Sequence, residues 1–399
     1  MELIKIPDSQ YDEYKYDVIF STYKWDPQVG DHNTVARYVL VLTPEELATI
    51  EEIAEKLAIE TMNIEEELSR KPKLVKKLGI PNKIAKLVLK NTNYQKAKHI
   101  RLMRFDFHPT KEGWKISEVN SDVPGGFAES SALPILAAKL FKDVAPTKHF
   151  GECMAKEIRR TILSPKNIAF VYCTSYSDDR QVVQFLGEHL NASNIESSYL
   201  APDHIAWKEN FAYNCLENKP VDAIIRFFPL EWLMTLPRKS KWPNFFDSLT
   251  TSCNHPIAML MQSKRIPLIW DKLSASSDTW KKFLPETKDP KEIDENDESF
   301  IFKPTLGRVG ENITIRGVMT EREILKVKKS ARRSHKKWIA QKMFDSVPLR
   351  CGDEEFHLCI GAFTINSQNA GLYGRISPYA RIDQHAKDIA ILVRKETLK

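Results

Sequence analysis

The segment from Arg101 to Asp122 reads Arg-Leu-Met-Arg-Phe-Asp-Phe-His-Pro-Thr-Lys-Glu-Gly-Trp-Lys-Ile-Ser-Glu-Val-Asn-Ser-Asp, and it constrains the fold more than any other. Polar and apolar residues alternate along it with the two-residue period of a strand. Met103, Phe105 and Phe107 fall on one face, and Arg104 and Asp106 on the other. His108-Pro-Thr-Lys-Glu-Gly113 carries turn chemistry, and Glu118 and Asn120 share one face of the returning strand. The expected structure is a β-hairpin whose register decides its chemistry. With Asp106 opposite Ile116 or Glu118, all four polar side chains meet; a slip by one residue turns the second pair away. Asp, Glu and Asn are hard oxygen donors of the kind that hold Mg²⁺ together with nucleotide phosphates. Arg104, Asp106, Glu118 and Asn120 therefore read as a metal-and-phosphate corner. The solvated face of an ordinary amphipathic hairpin shows the same alternation, so the rest of the chain has to decide.

The bulk properties narrow the class. A chain of 399 residues with 42% hydrophobic and 28% charged residues can bury two or three structural units. No apolar run reaches the length of a membrane span, and the opening Met1-Glu-Leu-Ile-Lys-Ile-Pro lacks a signal-peptide core. The six cysteines are scattered and form no Cys-x-x-Cys pair, which argues against a zinc site or a disulfide framework. A cytoplasmic protein without membrane contact is expected. The net charge of +6 is small for this length. Its densest basic run, Lys326 to Lys337, follows Ile324, Leu325 and Val327 and reads as the solvated side of a helix. No nucleic-acid motif accompanies it, and no nucleic-acid partner is expected.

Three regions follow from the pattern. Residues 1–100 form a helical support region, in which Thr43-Pro-Glu-Glu46 is a capping box and Leu47, Ile50, Ala54, Leu57, Ala58 and Met62 recur at helical spacing. Residues 101–255 hold the hairpin, a helix over 127–141 after Pro124-Gly-Gly126, and a central α/β region. There, strands 168–173 and 221–228 flank a helix over 179–190, an alternation that predicts a parallel layer. Residues 256–399 form a strand-rich nucleotide-binding region with strands over 300–303, 312–316, 338–344 and 356–366, preceded by an acidic linker over 289–298. The fold class is α/β (α+β).

A second constellation lies in this last region. Lys303-Pro-Thr-Leu-Gly307-Arg308-Val-Gly310-Glu-Asn312 places a lysine at a strand end before a loop with two glycines, able to present backbone N–H groups to phosphate. It is not a Walker loop, because Gly-Lys-Ser/Thr and the following helix are missing. Taken together, the motifs resemble the glutathionylspermidine synthetase family. Arg104-Phe-Asp106 with Glu118-Val-Asn120-Ser-Asp122 is similar to its metal and nucleotide motif, and Gln262-Ser-Lys264, before an expected apolar helix, to the segment with its first ATP-contacting lysine. Lys303 with Gly307, Arg308 and Gly310 resembles its second lysine and phosphate-covering loop. Trp338-Ile-Ala-Gln341 is similar to the strand lining its adenine pocket, and Ala370-Gly-Leu-Tyr-Gly-Arg375 to the segment whose arginine serves the reacting phosphate. Val221 to Trp232 also echoes a family segment.

The resemblance implies an ATP-grasp fold with a pre-ATP-grasp-like α/β substrate domain and no attached amidase domain. It implies an ATP-dependent carboxylate–amine ligase working through an acyl phosphate, with ATP and Mg²⁺ as cofactors. Asp106, Glu118 and Asn120 are then the metal residues, Arg104 and Arg375 the catalytic ones. Arg104, Lys264, Lys303, Gly307, Arg308, Gly310 and Gln341 contact the nucleotide. The partners are a small carboxylic acid (glutathione or another peptide) and an amine such as a polyamine, for which Asp178, Asp179 and Glu231 are acidic candidates. One departure bears on the acid: after Ser121-Asp122 the chain has Val123 where the family has a hydroxyl residue, and valine donates no hydrogen bond. Two other readings remain open at this stage: a ligase for another acid and amine, and a non-catalytic nucleotide-binding module.

Overall fold

The computed structural model describes every residue except 26, 30, 91–93, 238–239, 295–296, 308–319 and 397–399. The strand expected over 312–316 and the residues Arg308, Gly310 and Asn312 lie outside the described residues.

The predicted hairpin is present as β3 (Leu102–Thr110) and β4 (Gly113–Asn120). It forms one edge of the main sheet, which also contains β1 (Glu2–Lys5), β2 (Val35–Leu42), β12 (Glu354–Ile365), β13 (Gln368–Ser377) and β14 (Lys387–Arg394). Their order across the sheet is β1-β2-β14-β13-β12-β3-β4, with the short strands Val144–Pro146 and Leu349–Cys351 joining at the side. The first hundred residues thus build into the same sheet as the last fifty. Only β2 and β14 pair parallel along this path; the other pairs are antiparallel.

Each face of the sheet is covered. Helix α1 (Pro44–Ser69) starts at the predicted capping box, with Thr43 and Glu46 exchanging side-chain-to-backbone hydrogen bonds. Its Ile50, Ala54, Leu57 and Leu68 pack with Phe105, Phe107, Ile360 and Leu372 in one core. The opposite face is covered by α2 (Phe127–Ala138) and α3 (Phe150–Thr161), where Phe127 stacks on Phe150 and both meet Phe363. Helix α2 ends three residues short of the expected 141. The side chains of Arg104 and Asp106 point to this second face, because Met103, Phe105 and Phe107 take the first.

The central β–α alternation forms a separate parallel sheet. Strands β5 (Asn167–Tyr172), β6 (Glu196–Leu200), β7 (Ala223–Phe227) and β8 (Thr251–Cys253) stand in the order β8-β7-β5-β6, with α4 (Ser177–Ala192) packed against it. A third sheet holds β9 (Thr287–Lys288), β11 (Trp338–Lys342) and β10 (Phe300–Pro304) in that order. It carries α5 (Glu321–Arg333), the helix of the basic run, which buries Ala331 against Phe302 and Ala340. The segment after Lys264, expected to be an apolar helix, is a 3₁₀ run over Ile266–Lys272, with Pro267 in its first turn. Of the acidic stretch 289–298, Pro290–Glu292 is a short 3₁₀ turn.

Buried polar contacts brace the base of the hairpin. Arg101 pairs with Glu65 of α1 and donates to the carbonyls of Leu102 and Ser121 at 2.9 and 2.6 Å. Asn254 donates to the carbonyls of Leu102, Ser121 and Asp122, and Gln262 accepts from the N–H groups of Ser121 and Asp122. Asp122 is held by Arg226 from β7. The Arg101–Glu65 pair is fully enclosed, so removing one partner leaves an uncompensated charge. Glu65→Leu should lower stability by about 3–5 kcal/mol in a urea titration. A loss below about 1 kcal/mol, the level of an exposed pair, would mean that the neighbouring carbonyls alone satisfy Arg101.

Candidate active site

Asp106 lies directly opposite Glu118, and Arg104 opposite Asn120, so the register brings the four polar side chains together. A bulge follows at once: Phe107 pairs with Ile116, leaving Ser117 as the extra residue. The bulge turns the Ser117 carbonyl toward Lys303 Nζ (3.3 Å) and its hydroxyl toward His108 Nε2 (3.0 Å).

Asp106 is the hub. Arg104 grips it with two hydrogen bonds of 2.8 and 3.0 Å, Arg375 reaches it at 3.0 Å and Asn120 Nδ2 at 3.2 Å. Burial alone would raise the Asp106 carboxyl, and the two guanidiniums more than offset this, holding it below the usual carboxylate range. Arg104 reaches its place by lying across Gly361 of β12, which pairs with Asp106 on one side and Tyr373 on the other. A Cβ on Gly361 would stand 2.6 Å from Arg104 Cδ. Both guanidiniums also lie near the Tyr373 ring, at 5.2 and 5.4 Å from its centroid. Tyr373 in turn packs against Gly126, whose φ of 100° and missing Cβ admit the ring.

The neighbouring group centres on Glu118. Lys264 Nζ pairs with Glu118 at 2.9 Å and donates to the Gly307 carbonyl at 2.6 Å. Lys303, at the end of β10, donates to Gln341 Oε1 at 2.7 Å. Burial raises the Glu118 carboxyl, and Lys264 and Lys303 outweigh that and lower it. Burial, with repulsion from Lys264, brings the Lys303 ammonium down to about 8 despite the pull of Glu118. His108 is pushed down to about 4, chiefly by burial, and is neutral at pH 7. Arg104, Arg375, Lys264 and Lys303 thus face two carboxylates, four cations against two anions, and the surplus suits an anionic ligand.

Two cavities open from this centre. The first has Ile266, Leu284 and Trp280 in its wall, with Glu118, Lys264 and Gln341 at its polar end. Trp270 lines it with a buried indole N–H that has no partner. Apolar walls around a few convergent polar groups are the usual make-up of a heterocycle site. The second cavity, open to solvent, is reached from Arg375 and Tyr373 and is bordered by Lys24, Glu129, Asp178 and Asp388. Arg375 Nε is buried without a partner.

Among the described residues the structure thus brings Arg104, Asp106, Glu118, Asn120, Lys264, Lys303, Gly307, Gln341 and Arg375 into one region. Of the acidic candidates for an amine, Asp178 lines the second cavity, and Asp179 and Glu231 are not among its described lining residues. Sequence reasoning missed Gly361, Tyr373, Lys24, Glu129 and Asp388. Tyr373 was accessible in principle, two residues before Arg375 on the same strand face. The other four carry no local pattern, since only tertiary packing collects them.

This architecture, a mixed and mainly antiparallel sheet bearing the charged centre with a smaller sheet reaching over it, is the α/β ATP-grasp class. A family model described as glutathionylspermidine synthase preATP-grasp matches residues 11–389, and the chain belongs to that family. No curated protein matches the sequence. Among solved structures, a glutathione synthetase-like effector from Globodera pallida, in its apo form, is similar over 96% of this chain and 97% of its own, with a TM-score of 0.64 and 13% identity. That likeness concerns the fold. A protein from Methylobacillus flagellatus described as a gamma-glutamylcysteine synthetase aligns over 80% of this chain and 86% of its own, with a TM-score of 0.47 and 11% identity.

Two expectations test the geometry itself. Gly361→Ala should cost about 1–3 kcal/mol in chemical denaturation, because Arg104 must give way inside a packed site; an unchanged midpoint would mean that Arg104 moves freely. Lys303 gives a pH signature. Its ammonium titrates at about 8 in the fold, against 10.5 ordinarily. Between those values the unfolded chain holds more protons, so stability rises with pH; below 8 both states are protonated and the penalty is fully present. Relative to Lys303→Met, the wild type should gain up to about 3 kcal/mol between pH 8 and 10.5. Parallel stability curves for the two proteins would refute a desolvated Lys303.

Proposed function

We propose that this protein is an ATP-dependent carboxylate–amine ligase that forms an amide bond through an acyl phosphate. The observation that supports it best is the convergence of two lysines on the Glu118 region and two arginines on Asp106, across one cross-strand pair. In the first step a substrate carboxylate attacks the γ-phosphoryl group of ATP, giving an acyl phosphate and ADP. In the second an amine attacks the acyl carbon and phosphate leaves. Such transfer asks the protein mainly for positioning and for neutralisation of charge.

Arg104 and Arg375 suit the transferring phosphoryl group and the oxyanion of the second step, since Asp106 holds both at one place. Lys264 and Lys303 serve the phosphates. Gln341, with Trp270 and Trp280, lines the cleft assigned to the base. Gly307, whose carbonyl accepts from Lys264, is the described end of the loop expected to serve the phosphates. Asp106, Glu118 and Asn120, two carboxylates and an amide, are the residues that would hold Mg²⁺ with the nucleotide phosphates, in exchange for the arginine and lysine contacts the carboxylates make here. When bound, the ion neutralises phosphate charge. The cavity beyond Arg375 is assigned to the acid and the amine. Glutathione or another small peptide and a polyamine are the partners that the family name suggests. Val123 leaves the acid open. Six unpaired cysteines agree with a cytoplasmic setting.

ADP release with Mg-ATP, first with glutathione and spermidine and then with other small acids and amines, tests the reading. Release that requires both an acid and an amine is the expected result. Tight Mg-ATP binding without release in any pairing would favour a non-catalytic nucleotide-binding module. In the same assay Lys303→Ala and Asp106→Asn should each lower turnover by at least about a hundredfold, with near-native circular dichroism. Near-normal release from either folded variant would remove that residue from the site.

A further inference from the structure

The cavity beyond Arg375 contains a charge that the ligase reading does not use. Lys24 comes from the loop after helix Asp8–Ser21, where Tyr23 takes a φ of 59° and turns the chain inward. Its Nζ sits 2.7 Å from Glu129 and 2.8 Å from Asp388. Glu129 lies in the first turn of α2, and Asp388 comes from β14, where it also accepts from the Tyr373 hydroxyl at 2.7 Å. The three side chains are 14%, 13% and 8% exposed, so the ammonium is seated in a nearly closed acidic cradle. All of them line the cavity that Arg375 borders. One acceptor is left over: Glu129 Oε2 is buried with no hydrogen-bond partner. A buried, unmatched carboxylate oxygen beside a cavity is costly unless a donor reaches it.

We propose that Glu129 and Asp388 form a primary-ammonium subsite of the substrate cavity, and that Lys24 fills it from within as a built-in alkylammonium that determines specificity. The inference rests on the reading of this cavity as the substrate cavity. Its chemistry is that of a primary amine on an alkyl stem between two carboxylates, with a phenol holding one of them. With Lys24 in place, a substrate lying against Arg375 presents no ammonium to this cradle. Removing the lysine side chain beyond Cβ vacates the space of one propylammonium ion.

Lysine burial needs both carboxylates. Burial opposes the Lys24 charge, and Asp388 and Glu129 outweigh it, keeping the ammonium well above its ordinary range. The two acids respond differently: Glu129 is lowered, whereas burial leaves Asp388 raised. For Glu129, burial raises the carboxyl, and the charge and hydrogen bond of Lys24 outweigh it.

The test is thermal denaturation of the full chain without nucleotide, in propylammonium chloride or matched sodium chloride. Lys24→Ala should melt below the wild type in sodium chloride and regain several degrees, saturably, in propylammonium. The wild type should be indifferent. Lys24→Ala combined with Glu129→Gln should lose most of the response, and Lys24→Met, which keeps the stem and fills the space, should not respond. If Lys24→Ala folds only in propylammonium, that is the same result in stronger form. No amine-specific stabilisation of Lys24→Ala, no folding in either salt, or equal stabilisation of the wild type would overturn the subsite. Because no nucleotide is present, such a failure is independent of ADP release, which tests the ligase reading by itself.

Discussion

A carboxylate as buried as Asp106 has to be paired, and the way it is paired organises this protein. Two guanidiniums, one from its own strand and one from two strands away, share its oxygens. Each needs room that the sheet provides: Gly361 gives up a side chain to Arg104, and Gly126 gives up one to Tyr373, whose ring lies beside both cations. The hub is therefore dictated by two absent Cβ atoms as much as by the charges. Breaking a buried pair costs far more than forming it gains, which makes this arrangement stiff. Stiffness is what a group-transfer centre requires, because misplacement of a charged group by an ångström forfeits most of its effect.

The three sheets divide the labour. The main sheet presents Arg104 and Asp106 from β3, Glu118 and Asn120 from β4, and Arg375 from β13. The small sheet brings Lys303 and Gln341 to the Ser117 bulge, and Lys264 joins them from the segment beyond the parallel sheet. The parallel sheet anchors the hairpin from behind through Arg226 and Asn254. Asp122, beside the position where the chain departs from its family with Val123, is thus occupied in an internal ion pair.

Much of this was legible in the sequence where a local period encodes it. The alternation around Phe105 and Phe107 predicted both the hairpin and the inward face, and Thr43-Pro-Glu-Glu46 predicted the start of α1. Two of the four strands of the parallel layer, β5 and β7, came out within two residues, whereas β6 and β8 were not expected. Register was not legible, because Asp106 can face Ile116 or Glu118 with the same alternation, and the Ser117 bulge decides. The helix expected after Lys264 gave way to a 3₁₀ run, and Pro267 does not account for it, since proline in a first helical turn costs no intrahelical hydrogen bond. Lys24, Glu129 and Asp388 stood beyond local reading altogether. They lie on a loop, a helix and a strand far apart in the chain, and nothing near any of them marks it as a partner of the others.

The position of β14 has a consequence for how the molecule assembles. It lies between β2 and β13, so one of the first strands synthesised has as its inner neighbour one of the last. Until that strand emerges, Val35–Leu42 has only the four-residue β1 beside it and exposes a row of unpaired backbone groups on an apolar strand. Contacts between such distant parts of a chain are slow to form because a long loop must be closed first. During synthesis the half-built sheet is therefore an open template, and the last strand acts as the wedge that seals it.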